Sequence, residues 1–181
     1  MKKLLLTTVG LVASSLVMAS APLVVSFNQA EAIQKSKEGR DVFVSLGKQK
    51  EAAEKELQEK AKSIQSRMQI FEKQAKANLL SQDAMIQKQG DLAKDYRKLE
   101  RLKVAMDEDL EADRKIKVEK LGLKLAEEAK KVFEVKGAKV LLEARAPGVL
   151  ALTVDIDITE EVIKKADAKY LTTKQKTAKA A

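Results

Sequence analysis

Basic side chains concentrate in the middle of the chain, where they are the residues best suited to bind an anionic partner. Between Arg67 and Lys103 there are nine Lys or Arg residues against five Asp or Glu residues. We expect this positive charge to attract acidic protein segments and anionic lipid head groups, with an attraction that weakens at high ionic strength. The alternative is that these charges only keep a coiled-coil surface in water. The candidate electrostatic residues are Arg67, Lys73, Lys76, Lys88, Lys94, Arg97, Lys98 and Arg101.

Catalytic side chains are scarce in this sequence. The chain contains no His and no Cys, which excludes disulfides, His–Cys metal sites and acid–base catalysis by histidine. Neither a phosphate-binding glycine loop nor a nucleophile elbow is found. Carboxylates are abundant, but the helical patterns described below place them on exposed faces. We therefore predict that the protein is not an enzyme and that it needs no cofactor.

A second set of candidate binding residues is apolar. Ile70, Leu80 and Ile86 lie outside the regular hydrophobic repeat, close to a predicted turn between two helices. Exposed apolar side chains could make many weak contacts with an unfolded polypeptide. They could instead widen the buried stripe between the helices, since packed helices bury more than a strict a/d seam. We favour contact with an unfolded polypeptide for these three residues.

A heptad pattern of apolar residues positions both sets. From Leu57 to Ala75 apolar residues are spaced alternately by four and three positions, and a similar run extends from Met85 to Leu110. This spacing is typical of the seam of a coiled coil. The predicted seam residues are Leu57, Ile64, Phe71, Leu92, Leu99, Met106 and Leu110.

The two runs predict an antiparallel helical hairpin, called the arm, that spans residues 31–136 and has its tip near residues 80–83. Ser81 is a good N-cap for the second helix, and Gly137 stands where a left-handed C-cap is expected. In an antiparallel pair the numbers of facing residues have a constant sum, here about 163. The predicted seam pairs are Phe71 with Leu92, Ile64 with Leu99, Leu57 with Met106 and Ala53 with Leu110.

Short apolar, β-branched segments flank the arm. Leu23–Phe27, Lys139–Ala144 and Val149–Val154 are predicted to be strands. A sheet of this size is marginal alone and its open edges invite pairing, so we expect strands of several chains to join in one body. The predicted body residues are Val24, Val25, Phe27, Val140, Leu142, Leu150 and Leu152.

The N-terminal residues 1–19 have the features of a secretory signal peptide, in which two lysines precede an apolar stretch that is too short for a confident membrane span. Cleavage is expected after Ala19 rather than after Ala21, which Pro22 follows. The prediction is therefore an exported protein, which in a Gram-negative host lies in the periplasm.

The remaining chain divides around the arm. Residues 20–30 and 137–171 are assigned to the small β body, with a short helix capped by Thr159, and residues 172–181 to a disordered, Lys-rich tail. Aromatic residues are only 3% and charged residues 34% of the sequence, a composition that suits a thin helical protein better than a thick core. The predicted fold class is mainly α with a small β body, an α+β chain.

The order of these parts resembles the Skp/OmpH family of periplasmic chaperones over nearly the whole mature chain. The resemblance rests on the signal peptide, the first strand, the Gln34–Gly39 segment, the Leu80–Ser81 tip, the strand segments and the Val154–Ile163 ending. It implies a trimer in which strands of three chains close a β-barrel and three helical arms enclose a cavity. It also implies an ATP-independent holdase that keeps unfolded outer-membrane proteins soluble there. The Lys-rich tail after Tyr170 is not part of the usual family core.

Two other classes of protein remain as alternatives. The first is a structural or scaffolding coiled-coil protein of the cell envelope, although neither a lipid-modified cysteine nor a retained membrane span is evident. The second is a nucleic-acid-binding protein, which the sequence pI of about 9.5 suggests. The signal peptide and the lack of interleaved aromatic residues argue against nucleic acid as a partner.

Overall fold

The structure is a computed structural model that describes residues 24–180 and is mainly helical, with one two-stranded sheet. The predicted signal peptide, residues 1–19, and the first residue of the first predicted strand, Leu23, lie outside the described residues. Within those residues, no helix combines the length and the apolar character needed to cross a bilayer. The elements in chain order are β1 (Val24–Phe27), α1 (Gln29–Lys35), α2 (Lys37–Lys76), α3 (Gln82–Val135), β2 (Val140–Glu143) and α4 (Thr159–Ala180).

Helices α2 and α3 form the arm, and α3 alone is about 80 Å long at 1.5 Å per residue. Ser81 caps α3 by accepting a hydrogen bond from the Ala84 N–H at 3.3 Å. Helix α2 ends at Lys76, earlier than the predicted end near Leu80, because the chain turns through Asn78 with a φ of 52°. Asparagine tolerates this left-handed conformation better than most residues.

The pairing of the two arm helices follows the predicted register closely. Arg67 binds the carboxylate of Asp95, and the Lys88 ammonium donates to the Gln74 amide oxygen at 2.8 Å. Both pairs lie within one residue of the register that the seam pattern predicts. At the other end of α3, Gly137 has a φ of 63°, as expected for a left-handed C-cap.

The first helix of the arm, predicted to begin near residue 31, is broken at Ser36. This residue is extended, with φ −64° and ψ 153°, and its hydroxyl accepts from the Gly39 N–H at 3.1 Å. A Cβ on Gly39 would lie 1.8 Å from the carbonyl oxygen of Ile33, so the fold admits only glycine there without a shift. The break, called the joint, separates α1, whose Ala32 is fully buried, from the arm.

The body forms around β1 and β2, which pair in parallel from Val24 opposite Val140 to Phe27 opposite Glu143. Parallel strands need a long crossover, and here the whole arm is that crossover. The Ser26 carbonyl accepts from the Ile158 N–H at 2.9 Å, which attaches the start of α4 to the other edge of β1. The buried core of the body consists of Val25, Phe27, Ala32, Leu121, Leu125, Ala129, Val132, Ala138, Ile158 and Val162.

Three predictions about the C-terminal part were wrong. The predicted strand Val149–Val154 has no regular structure until a single 3-10 turn at Val154–Ile156, because no described strand lies beside it to accept its backbone hydrogen bonds. The predicted disordered tail, residues 172–181, continues α4 as far as Ala180. Thr159 is the first residue of α4 rather than its cap, and its N–H donates to the Asp157 carboxylate at 2.9 Å.

Candidate functional site

The arm seam is thin, so much of its apolar surface stays accessible. Ile64 and Leu92 are buried, with 7% and 9% of their surface exposed. The other predicted seam residues are only half-buried, namely Leu57, Phe71, Leu99, Met106 and Leu110. Two helices alone cannot cover all sides of a seam residue, since each knob needs a hole of four neighbours. The arm therefore presents apolar side chains along its length.

Two open grooves follow the seam and share Leu99. One has a volume of about 400 Å³ and is lined by Ile64, Leu99 and Leu102 together with charged side chains that include Arg67 and Asp95. The other has about 630 Å³ and is lined mainly by apolar groups of Leu57, Ala61, Tyr96 and Leu99. Grooves with apolar floors and charged rims could bind extended polypeptide segments.

The three apolar residues predicted near the tip are placed differently from one another. Ile70 and Ile86 are exposed, at 54% and 63% of their surface, whereas Leu80 is half-buried. Its neighbour Leu79, which the sequence pattern did not single out, is 73% exposed. The left-handed turn at Asn78 decides which of the two adjacent leucines faces solvent, and nothing in the heptad pattern distinguishes them.

Further exposed apolar side chains lie along the arm below the tip. Val104 and Ile116 are each 51% exposed, and Leu123 is 61% exposed. Tyr96 and Met68, which the heptad spacing assigns to the seam, are also exposed and contact each other through a hydrogen bond of 3.4 Å from the phenol to the sulfur. Scattered exposed apolar residues are ordinary, but here they continue along both helices.

The candidate cations fall into three groups. Arg67, Lys94 and Lys98 pair with carboxylates of α3, Arg67 and Lys98 with Asp95 and Lys94 with Asp91. Lys88 binds, among the residues that the structure describes, the neutral Gln74 side chain alone. The other four, Lys73, Lys76, Arg97 and Arg101, have no ion pair with any described residue and are exposed. These four can meet an anionic partner without breaking an ion pair inside the arm.

The predicted body residues do not share one environment. Val25 and Phe27 are buried in the core, while Val24, Leu142 and Leu152 are half-buried. Two others face solvent, since Val140 is 42% and Leu150 99% exposed, and the neighbouring Val154 is 92% exposed. Within residues 24–180, β1 is the only strand that pairs with β2, so the second edge of β2 stays open. An open edge beside exposed apolar residues is a surface suited to another chain.

Comparison with known proteins identifies the family. Residues 24–165 match the model of the family described as outer membrane protein (OmpH-like). The chain belongs to the OmpH-like family. The resemblance inferred from the order of sequence elements is thereby confirmed. The family match ends within α4, so residues 166–180 of that helix extend beyond it.

A crystal structure shows the same fold. It is that of a protein from Caulobacter crescentus CB15 proposed to be an OmpH-like outer membrane chaperone, with a TM-score of 0.76 and 22% sequence identity. The alignment covers 82% of this chain and 85% of that one. No curated protein matches the present chain at a significant level.

Proposed function

We propose that this OmpH-like protein is an ATP-independent holdase of the periplasm that binds unfolded outer-membrane proteins between its arms. The observation that carries the proposal is the combination, on one thin hairpin, of exposed apolar residues at the tip with cations that have no ion pair among the described residues. Family membership supports a chaperone role. The client is held without a catalytic step, so no cofactor is required.

Assembly into a trimer completes the proposed binding site. A single arm offers only one wall, whereas several arms on a common body would surround a client. The open edge of β2 and the exposed residues Leu150 and Val154 support joining of bodies. A closed β-barrel of three chains would leave no open strand edge such as that of β2.

Weak contacts suit the release of the client as well as its capture. Fully burying one isoleucine contributes at most about 3 kcal/mol, and partial burial of Ile70 or Ile86 against a mobile chain contributes less. Several such contacts acting at once hold a client, while each contact alone breaks easily. Lys73, Lys76, Arg97 and Arg101 add an attraction to acidic segments, and to anionic lipid at the membrane surface, that salt weakens.

Dilution of a urea-unfolded outer-membrane porin into buffer with the purified mature protein tests the proposal by light scattering. We expect the wild-type protein to suppress aggregation and the Ile70→Gln/Ile86→Gln variant to suppress it less. A matched control is Ile116→Gln/Leu123→Gln, which removes similar exposed apolar surface far from the tip. Equal aggregation with and without wild-type protein would refute the holdase function and favour the scaffolding alternative.

Assembly and location have separate tests. Sedimentation equilibrium of the mature protein should give the mass of three chains, and a monomer at micromolar concentration would contradict the assembly. Fractionation of the host cell should place the protein in the periplasm, and mass spectrometry of its N-terminus should show cleavage after Ala19. A protein that retains residues 1–19 would contradict export with signal cleavage. Binding to DNA in gel shifts at physiological salt would favour the nucleic-acid alternative.

A further inference from the structure

The second half of α4 leaves the core and crosses the joint at the base of the arm. Up to Ala166 the helix packs on the body, where Val162 is fully buried and Ile163 and Ala166 lie against the core. From residue 167 onward its contacts with the arm are mainly polar. These residues lie beyond the family match, which ends at residue 165. Residues 167–174 are called the strap.

The strap contacts the first two turns of α2. The Asp167 carboxylate accepts from the Lys37 N–H at 2.7 Å, which satisfies a backbone donor at the start of that helix. Asp41 accepts from the Tyr170 hydroxyl at 2.7 Å and from the Lys174 ammonium at 2.6 Å. The Lys174 ammonium also lies 5.5 Å from the centre of the Tyr170 ring, within range of a cation–π contact.

The strap also contacts the other arm helix. Lys169 donates to the Glu128 carboxylate of α3 at 2.6 Å, and Lys131 donates to the same oxygen at 2.8 Å. Glu128 is buried, with 8% of its surface exposed. The strap thus joins the start of α2 to the end of α3 that lies in the body core.

Electrostatics agree with these contacts. The hydrogen bonds that Asp41 accepts from Lys174 and Tyr170 hold the pKa of its carboxyl below the usual value. Burial alone would raise the pKa of Glu128, but the hydrogen bonds from Lys131 and Lys169 outweigh it and lower the pKa. Both carboxylates are therefore ionised at neutral pH and attract the cationic side of the strap.

The joint itself is short. A single extended residue, Ser36, separates α1 in the body from α2 in the arm. Helix α3 runs from the arm into the core without a break, so a rotation at this joint must also bend α3 above the core. Because the arm is long, such a movement would displace its tip through a large arc. The strap is anchored in the body and binds the arm just beyond the joint, so it opposes that rotation.

We propose that residues 167–174 fix the angle between the arm and the body, and that this chain thereby holds its arms more rigidly than the family core alone would. The proposal concerns the geometry of the chain and does not depend on whether the arms bind a client. Because most strap contacts are polar and exposed, salt should weaken them.

Spin-label distance measurements on the full mature protein test the strap. The sequence has no cysteine, so Glu59→Cys on the arm and Lys139→Cys at the body provide the only two labelling sites. Labelled chains are mixed with excess unlabelled chains of the same variant, so that distances within one chain dominate. The variants are a truncation after Ala166 and the triple change Asp167→Ala/Tyr170→Phe/Lys174→Gln.

We expect a narrow distance distribution for the wild-type protein and one about twofold broader for both variants, because loss of local contacts frees the joint. The control Lys176→Gln removes a charge from the same helix outside the strap and should keep the wild-type width. High salt should broaden the wild-type distribution. If the truncated protein does not fold, as judged by circular dichroism, the triple variant alone decides. A wild-type width in a folded triple variant would overturn the proposal.

Discussion

Substitution of Gly39 by alanine tests the close contact at the joint. A Cβ at this position would lie 1.8 Å from the Ile33 carbonyl oxygen and 2.9 Å from the Ser36 hydroxyl oxygen. The carbonyl belongs to the backbone and cannot turn aside like a flexible side chain. The turn between α1 and α2 must therefore open, and the hydrogen bond from the Gly39 N–H to Ser36 is lost with it.

The expected loss of stability follows from three contributions. Losing an N-cap hydrogen bond costs about 0.5–2 kcal/mol, and forcing a backbone shift in a packed site costs about 1–3 kcal/mol. The better helix propensity of alanine offsets about 1 kcal/mol of this. The free energy of unfolding should thus fall by about 0.5–4 kcal/mol, towards the upper part of this range because the clash is with backbone.

Gly47→Ala and Gly90→Ala are matched controls. Apart from the adjoining residues and the backbone of the same helix turn, no atom lies within 4 Å of a Cβ at either position, so alanine there should stabilise the arm by about 0.4–1 kcal/mol. The same chemical change therefore has opposite signs at different sites. Urea unfolding followed by circular dichroism, at one fixed chain concentration since assembly affects the midpoint, measures all three. A Gly39→Ala variant as stable as the wild type would refute the close contact.

Three other predictions use the same assay. Leu125→Ala should lower the free energy of unfolding by about 2–5 kcal/mol, because this core side chain is only 1% exposed. Leu123→Ala, at 61% exposure, should lower it by less than about 1 kcal/mol. Equal losses would contradict the burial of Leu125. Ser26→Ala should be neutral or stabilising, since the buried Ser26 hydroxyl has no hydrogen-bond partner among the described residues, and a clear loss would reveal an unseen partner. The third prediction concerns the dependence of stability on pH. Burial alone would raise the pKa of Glu128, but hydrogen bonds from two lysines lower it below its ordinary value of 4.5. Its contribution to stability is therefore complete above about pH 4.5 and is lost as the pH falls through the lowered pKa. Glu128→Gln should be less stable than the wild type at pH 7, with a difference that shrinks below pH 4.5, while the exposed neighbour Glu127→Gln should show little difference at either pH.

The sequence predicted best the features that depend on neighbouring residues. The heptad spacing, the Ser81 cap and the left-handed Gly137 are local, so the arm and its register could be inferred. The break at Ser36 was missed because the arm was predicted to begin at residue 31 with one continuous helix that includes Gly39. Its requirement for glycine comes from a contact with Ile33 across the break, although a serine three residues before a glycine is itself a possible cap.

Features that depend on distant residues could not be predicted. Apolar character in the 149–154 segment indicates a strand, but a strand needs a partner, and none lies beside it within the described chain. The composition after Thr172 indicates disorder, yet α4 continues to Ala180, and Tyr170 and Lys174 bind the distant residue Asp41. At the tip, only the backbone turn distinguishes exposed Leu79 from half-buried Leu80.

The parallel pairing of β1 with β2 has a consequence for the order of folding. Residues that pair in the sheet are separated by the entire arm, so their direct encounter would carry a large loop-closure entropy and slow the reaction. A hairpin that zips from its tip brings the two strands together through local steps instead. During synthesis the N-terminal strand must wait unpaired until the second helix has emerged. Changes at Asn78 or Ser81 should therefore slow folding, whereas changes in the body should mainly speed unfolding.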